Sequence, residues 1–290
     1  MTATMKGVDH AHAHRRRDIR AAFERAAHSY DQAAMIQREI CARLAAFGEG
    51  LVPGGGDADG WVLDAGCGTG FGVESLRRLR PGGRIVGLDL APAMLGRAHM
   101  RAGRDGGFEP VCADLEHLPL AAASIDLLWS SLAVQWCRPG RVFEELGRVL
   151  APGGIGLVAT LGPDTLWELR DAFASVDDAR HTIDFHTDAQ WVEAARAAGL
   201  EVERRERCAL HARAADLRGL LRDIKAIGAA TIDGGRRRTP LGRQAWLAVS
   251  ARYERHRLAD GLLPATYDTI LLAVRKPGLV SAEPGAPRDE

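Results

Sequence analysis

Trp61-Val62-Leu63-Asp64-Ala65-Gly66-Cys67-Gly68-Thr69-Gly70 runs an apolar strand straight into a glycine-rich turn. Glycine at three alternate positions removes the Cβ where a ligand must approach the backbone. It also permits the positive φ that a sharp strand-to-helix turn requires. The turn is a cofactor cradle. A dinucleotide fingerprint needs glycine at the first, third and sixth positions, and the sixth counted from Gly66 is Phe71.

Working outward, the same rhythm recurs. A helix over 72–79 ends at Pro81-Gly82-Gly83, and Arg84-Ile85-Val86-Gly87-Leu88-Asp89 is a short apolar strand closed by an acid. Further strands follow at 108–113, ending in Asp114, then at 125–130 and 155–161, with a helix over 140–150 before Pro152-Gly153-Gly154. Short strands alternating with helices of ten to twelve residues imply right-handed crossovers and a doubly wound parallel sheet, which binds its ligand at the carboxyl ends of the strands. Asp64, Gly66, Asp89, Asp114 and Ser130 all fall at those ends. Upstream, apolar residues at three- and four-residue spacing between Arg15 and Phe47 predict two amphipathic helices flanking Ser29-Tyr30-Asp31. Downstream, helices at 164–176 and 188–198 precede a strand at 200–208, and the last strand is placed at 267–274.

The expected architecture is therefore α/β: a mostly parallel, Rossmann-like seven-stranded sheet with an N-terminal helical cap and a helical insertion before the last strand. In segments, residues 1–14 read as a disordered start and 15–50 as the cap. Residues 51–208 form the core, 209–262 the insertion, 263–276 the last strand region, and 277–290 a disordered tail. His10, His12 and His14 alternate, but lack the further ligands that a metal site needs.

The bulk numbers agree with a globular chain. Its 290 residues are 46% apolar, and 38 basic side chains balance 38 acidic ones, which argues against a wholesale nucleic-acid or membrane binder. Five scattered cysteines include no Cys-x-x-Cys pair, and no signal peptide is evident, which together point to the cytoplasm. The longest apolar run, at 127–137, is about half a bilayer span. No metal is expected.

The Gly-x-Gly-x-Gly after Asp64 resembles the first motif of class I S-adenosylmethionine-dependent methyltransferases. That cofactor offers an amino-acid group, a ribose diol and an adenine ring. Asp64 and the Gly66, Cys67, Gly68 and Gly70 backbone lie where the amino-acid group would sit, with an acid to answer its ammonium. Asp89, followed by Leu90, closes the second strand, where a carboxylate accepts from both ribose hydroxyls. Asp114 and Leu115 follow the third strand and suit the adenine edge, and Ser130 closes the fourth. Each acid alone reads equally as a solvated strand end; their order after successive strands is what points to a site. Asp89 would also suit NAD, but the chain has no hydride-transfer constellation, Gly-x-Ser-x-Gly elbow, His-Glu-x-x-His or phosphate loop.

Several blocks narrow the resemblance. Phe23 to Asp31, Ser130-Ser131-Leu132-Ala133-Val134-Gln135-Trp136-Cys137, Thr160 to Leu169, Ile224-Lys225-Ala226-Ile227-Gly228-Ala229 and Leu263-Pro264-Ala265-Thr266-Tyr267 look like the biotin-pathway malonyl-acyl carrier protein O-methyltransferases. The resemblance spans residues 18 to 277 and implies methylation of the free carboxyl of a malonyl thioester. A malonyl carboxylate is already ionised at neutral pH, so no general base is required. The protein must align the reacting atoms and remove water. Tyr30, Gln135, Trp136, His181 and Lys225 are the candidates for holding one carboxylate oxygen. Packing of Tyr30 and Trp136, a capping role for His181 and a solvated face for Lys225 remain open beside those roles. Residues 209–260 carry eleven Arg/Lys against five Asp/Glu. Arg218, Arg222, Arg236, Arg237, Arg238 and Arg243 are candidates to dock an acidic acyl carrier protein bearing malonyl-phosphopantetheine. Two other readings stay open: a methyltransferase for a small carboxylate or quinone precursor, and a non-catalytic cofactor-binding adaptor.

Overall fold

The computed structural model describes residues 2–52, 60–103, 107–177, 179, 181–227 and 241–278, with side chains from His14 onward. Arg236, Arg237, Arg238 and the tail beyond 278 lie outside the described residues. Among the described residues, seven strands form one sheet: β1 (Trp61–Ala65), β2 (Arg84–Asp89), β3 (Phe108–Cys112), β4 (Ile125–Ser131), β5 (Leu150–Leu161), β6 (Glu201–Ala214) and β7 (Leu263–Arg275). Their order is β3-β2-β1-β4-β5-β7-β6, parallel except for β7, which runs antiparallel to both neighbours. Strand order reverses between β1 and β4, so a crevice opens beyond the carboxyl ends of these strands.

Alternate side chains of the central strands feed two layers. Val62, Ile85 and Leu127 pack with the helices α3 (Met35–Gly48), α4 (Val73–Leu79) and α5 (Pro92–Ala102). Leu63, Val86 and Leu128 pack with α6 (Pro139–Val149) and α8 (Asp188–Ala197), where Phe143 meets Trp191 at 6.1 Å between ring centroids. A start at Thr187 is specified chemically: its side chain accepts from the Gln190 amide at 3.2 Å while the Gln190 side chain accepts from the Thr187 amide at 2.9 Å.

Three boundaries differ from the sequence expectation. The first helix, α1, spans Thr2–Ala26, so helix replaces the disordered start expected for residues 1–14. Strand β6 runs on to Ala214, paired with Leu263, because β7 extends equally far and supplies hydrogen-bond partners throughout. Its sequence, Glu-Arg-Arg-Glu-Arg, carries the charge of a solvent-facing sheet edge. The helical insertion is correspondingly shorter, with α9 (Leu217–Ala226) and α10 (Arg243–Tyr253) between β6 and β7. Strand β5 begins at Leu150 and carries Pro152-Gly153-Gly154 in an irregular register against β4. No helix among the described residues is long and apolar enough to cross a membrane.

The short helix α2 (Tyr30–Ala33) joins α1 to α3, and this cap is fastened to the core. Asp31 accepts from Thr69 Oγ1 at 2.7 Å and pairs with Arg101, while Glu24 accepts from the Ala93 amide at 3.2 Å. Helix α7 (Trp167–Phe173) packs against α10, tied by Arg252 to Asp171 at 2.6 Å.

Candidate active site

The glycine turn and the end of β2 build one wall together. The amides of Gly66 and Cys67 donate to the Leu88 carbonyl at 2.7 and 2.9 Å. Asp89 accepts from the Gly68 amide at 3.0 Å and from the Ala91 amide at 2.9 Å. Gly66 has φ +81°, and a Cβ there would fall 2.1 Å from that of Ala133. Gly68 has φ +52° and faces open space. The two glycines therefore serve different ends: Gly66 lets two backbones approach, and Gly68 leaves room for a guest.

Three cavities meet at this wall. One of about 40 Å³ lies against Asp64, Gly66, Cys67, Gly68, Thr69 and Ser131. A second, of about 100 Å³, is lined by Asp89, Leu90, Asp114, Leu115 and, from α1, Arg16, Ile19 and Phe23. The third, about 300 Å³, is largely apolar, with Leu161, Leu166, Phe173, Ile183, Phe185 and Ile224 in its lining. Tyr30 and Leu132 border all three.

Electrostatically the first wall is unusual. Asp64 is buried, and its Oδ2 has no hydrogen-bond partner. Burial, reinforced by the charge of Asp89, pushes its carboxyl up to about 8. Asp89 is pushed up to about 6 by burial, against the pull of the Ala91, Gly68 and Leu90 amides. An unpaired buried carboxylate is costly, and a cation placed beside it would remove that cost. Burial also drives the Cys67 thiol well above its ordinary range, which leaves it unreactive.

The predicted residues divide. Asp64, Gly66, Cys67, Gly68, Asp89, Leu90, Asp114 and Leu115 border the two small cavities. Gly70 packs in the turn, its hypothetical Cβ 3.0 Å from Ala98 Cα, and borders neither. Ser130 does not face the crevice: its hydroxyl donates to the Ala65 carbonyl at 2.8 Å between β1 and β4, and the next residue, Ser131, lines the cavities instead. Asp114 is paired with Arg16 and accepts from the Glu116 amide at 2.9 Å. Arg16 is thus a cavity residue, brought to Asp114 by α1.

Tyr30, Gln135, Trp136, His181 and Lys225 all border the large cavity. Trp136 also borders the second cavity and meets Phe23 edge-on at 5.7 Å. Tyr30 stacks on Phe71 at 6.3 Å, and burial, with Asp89 nearby, holds its hydroxyl protonated. Gln135 donates one amide N–H to the Leu132 carbonyl at 2.7 Å, and its Oε1 has no partner. That bond braces Leu132 at φ +57°, a conformation that costs a non-glycine residue about 1–3 kcal/mol and collects at functional sites. The His181 ring lies on Phe173 at 3.7 Å and meets Asp177 at 2.7 Å. Lys225, on α9, forms no ion pair among the described residues. Gln37 and Tyr267, both buried, also line the large cavity and were not among the candidates expected from the sequence. A glutamine among Ile36, Ile40 and Leu44 was the available signal for Gln37.

A methyltransferase-domain family model matches residues 63–158, which run from β1 into β5. The malonyl-(acyl-carrier protein) O-methyltransferase of Dechloromonas aromatica is 46% identical over 258 residues, covering 89% of this chain and 94% of that protein. The chain belongs to the malonyl-(acyl-carrier protein) O-methyltransferase family. The member from Laribacter hongkongensis is 43% identical over 87% of this chain and 86% of its own length. A biotin biosynthesis bifunctional protein, BioHC of Teredinibacter turnerae, matches 91% of this chain at 36% identity over 47% of its own length. Among solved structures, the YcgJ protein of Bacillus subtilis superposes with a TM-score of 0.55 at 14% identity, over 82% of this chain and 98% of that one. Geranyl diphosphate C-methyltransferase of Streptomyces coelicolor, solved with S-adenosyl-L-homocysteine, gives 0.50 at 18% identity, over 81% and 77%. These likenesses show a class I methyltransferase fold, and family membership makes the chain an enzyme rather than a silent adaptor.

Proposed function

We propose that this member of the family transfers a methyl group from S-adenosyl-L-methionine to the free carboxylate of a malonyl thioester on an acyl carrier protein, serving biotin synthesis. The observation that carries the reading is the meeting of a glycine-walled, acid-bearing cavity with a large apolar one at Tyr30. The residues present fit the methyl donor. The partnerless Asp64 Oδ2 would answer its ammonium, the open face of Gly68 would admit its amino-acid portion, and Asp89 and Asp114, which line the adjoining cavity, would serve its ribose and adenine. When bound, the cofactor supplies an electrophilic methyl carried on a sulfonium.

This chain's residues prepare the acceptor. The carboxylate arrives ionised, so the protein has no proton to remove. The protonated Tyr30 hydroxyl can donate to one carboxylate oxygen and leave the other free. Leu132, Phe173, Ile183 and Phe185 keep water from the anion, which makes it more reactive. Trp136 and Gln135 shape the wall, and the His181 ring is clamped by Phe173 and Asp177 at the same cavity. Lys225 sits at its α9 side, where a cation favours an anionic acceptor.

The exposed face of α9 is our candidate for carrier docking. Leu217, Leu220 and Ile224 bury one stripe, while Arg218, Arg222 and Lys225 occupy the exposed side. Much of the remaining positive charge is consumed internally: Arg213 pairs with Asp260, Arg252 with Asp171 and Arg257 with Glu254. Arg243 is exposed at the start of α10 and extends the face. An acidic carrier protein would be steered to such a surface, in a cytoplasmic setting. The test is to supply labelled S-adenosylmethionine with malonyl-acyl carrier protein, malonyl-coenzyme A, free malonate or a small aromatic acceptor. Label should enter the carrier-bound thioester fastest. Label entering only the aromatic acceptor would refute the reading.

A further inference from the structure

The methyl group must cross from the cavity against Asp64 to the large apolar cavity. The residues that border both are Tyr30, Gln37 and Leu132. Gln37 is the less expected of the two polar ones. It lies on the buried stripe of α3 with Ile40, Cys41 and Leu44, a face on which every neighbour is apolar. Its Oε1 has no partner, a desolvation cost without return unless something else arrives at that position. The amide lies near enough to the Tyr267 phenol on β7 to oppose in part the rise that burial imposes on it. Tyr267 borders the same large cavity.

We infer that Gln37, backed by Tyr267, holds one oxygen of the acceptor carboxylate at the point of transfer. The inference rests on the carboxyl-methylating reading above and deepens it. An amide can turn about its terminal bond, and a phenol serves as either donor or acceptor, so Tyr267 can support both faces of Gln37. With the amide turned, Tyr267 donates to Oε1, and the two N–H groups face the junction. Gln37 and Tyr30 then present neutral donors from two sides of one anion. Neutral donors orient a carboxylate without the full ion pairing that would blunt its attack. Gln135 offers less to this task, because one of its two N–H groups is spent on the Leu132 carbonyl and it borders the large cavity but not the one against Asp64.

The test compares Gln37→Leu, Gln37→Glu and Tyr267→Phe, measuring cofactor affinity by calorimetry and methyl transfer to a malonyl thioester at saturating cofactor. Gln37→Leu should lower kcat/KM for the thioester about 10- to 150-fold, the span of one hydrogen bond to a charged group, with cofactor Kd within about twofold. Gln37→Glu is nearly isosteric but sets like charge against the acceptor; it should lose more turnover than Leu while holding or tightening the cofactor. Tyr267→Phe removes one oxygen and no carbon, so it keeps the question open to test if a Gln37 variant fails to fold; a severalfold loss is expected. If wild type transfers methyl and Gln37→Leu or Tyr267→Phe matches it within about twofold, this inference falls alone. It also falls if cofactor Kd weakens in step with turnover, since Gln37 would then serve the donor. A wild-type enzyme that methylates no malonyl thioester overturns this inference and the reading beneath it together.

Discussion

The carboxyl of Asp64 sets a sharp expectation for how cofactor binding depends on pH. It is pushed up to about 8 by burial and by Asp89, and its Oδ2 has no hydrogen-bond partner. At pH 7 only about one tenth of the molecules then carry it ionised, and at pH 6 about one hundredth. A ligand ammonium needs the ionised form, so binding costs roughly 1.4 kcal/mol at pH 7 and roughly 2.7 kcal/mol at pH 6 to remove the proton. Affinity should therefore rise about tenfold from pH 6 to pH 7 and less steeply to pH 8. Beyond that it should fall, as the ligand's own α-amino group loses its proton at about 8. At pH 7 binding should release about 0.8 proton, about 0.9 from Asp64 less about 0.1 taken up by the ligand's amine, read from calorimetry in buffers of different ionisation enthalpy. The stability sign agrees: an acid whose folded value lies above its unfolded 3.8 holds a proton that the unfolded chain has lost. The ligand-free protein therefore loses stability as pH rises from about 4 to about 8, and cofactor should raise Tm more at pH 8 than at pH 6. Asp64→Asn should bind weakly and flatten the profile. A flat wild-type profile with no proton release would refute the assignment of the ammonium to Asp64.

Asp89→Ala should weaken cofactor binding by about 1.5–3 kcal/mol, the scale of hydrogen bonds to a charged group, and an unchanged Kd by calorimetry would remove it from the ribose. Gly66→Ala should unfold readily in a thermal melt, because its Cβ would lie 2.1 Å from that of Ala133. Gly68→Ala, facing open space, should keep more of its Tm and lose cofactor affinity instead. Arg16→Ala removes a partly exposed pair with Asp114, so stability should change by under about 1 kcal/mol while cofactor dissociation, followed by stopped flow, quickens. Reversing Arg218 and Arg222 to Glu should raise KM for the carrier-bound thioester more than for the coenzyme A thioester, and added salt should narrow the difference. Equal effects on both substrates would take the docking role from α9.

The donor side of the site was legible because its signals are local. A glycine turn and acids closing successive strands are read from spacing alone, since the parallel crossover carries each strand end to the same edge. Ser130 shows where this stops. Strand β4 is buried on both faces, so no polar alternation marks which of two adjacent serines points into the crevice. The end of β6 was hidden for another reason: Ala209-Leu210-His211-Ala212-Arg213-Ala214 is alanine-rich and carries no strand signal of its own, and its pairing with Leu263 to Asp268 of β7 makes it strand. Leu132 and Leu166, both at positive φ, are residues that sequence would place in any other conformation. Tertiary contacts hold them there: the Leu132 amide donates to Ala159 at 2.9 Å and that of Leu166 to Thr266 at 2.7 Å.

The acceptor side was legible in part: the blocks of family resemblance point to Tyr30, Gln135, Trp136, His181 and Lys225, whereas Gln37 and Tyr267 join them only in three dimensions, because the cavity is assembled from segments remote in sequence. Tyr30 and Gln37 come from the cap, Leu132 and Trp136 from beyond β4, Phe173 and His181 from beyond β5, and Tyr267 from β7. The consequence is physical as well as topological. The sheet alone presents the methyl donor to open solvent, where a hydrated carboxylate is a poor nucleophile. Water is excluded only when α1 lies over the crevice, with Arg16 on Asp114 and Phe23 on Trp136, and when α9 covers the far end with Leu221 and Ile224. On the proposed reading, cap and insertion therefore do more than add area: they would supply both polar groups to orient the acceptor and apolar groups to strip its hydration. Loosening either one should slow transfer even where every residue that touches the cofactor is intact.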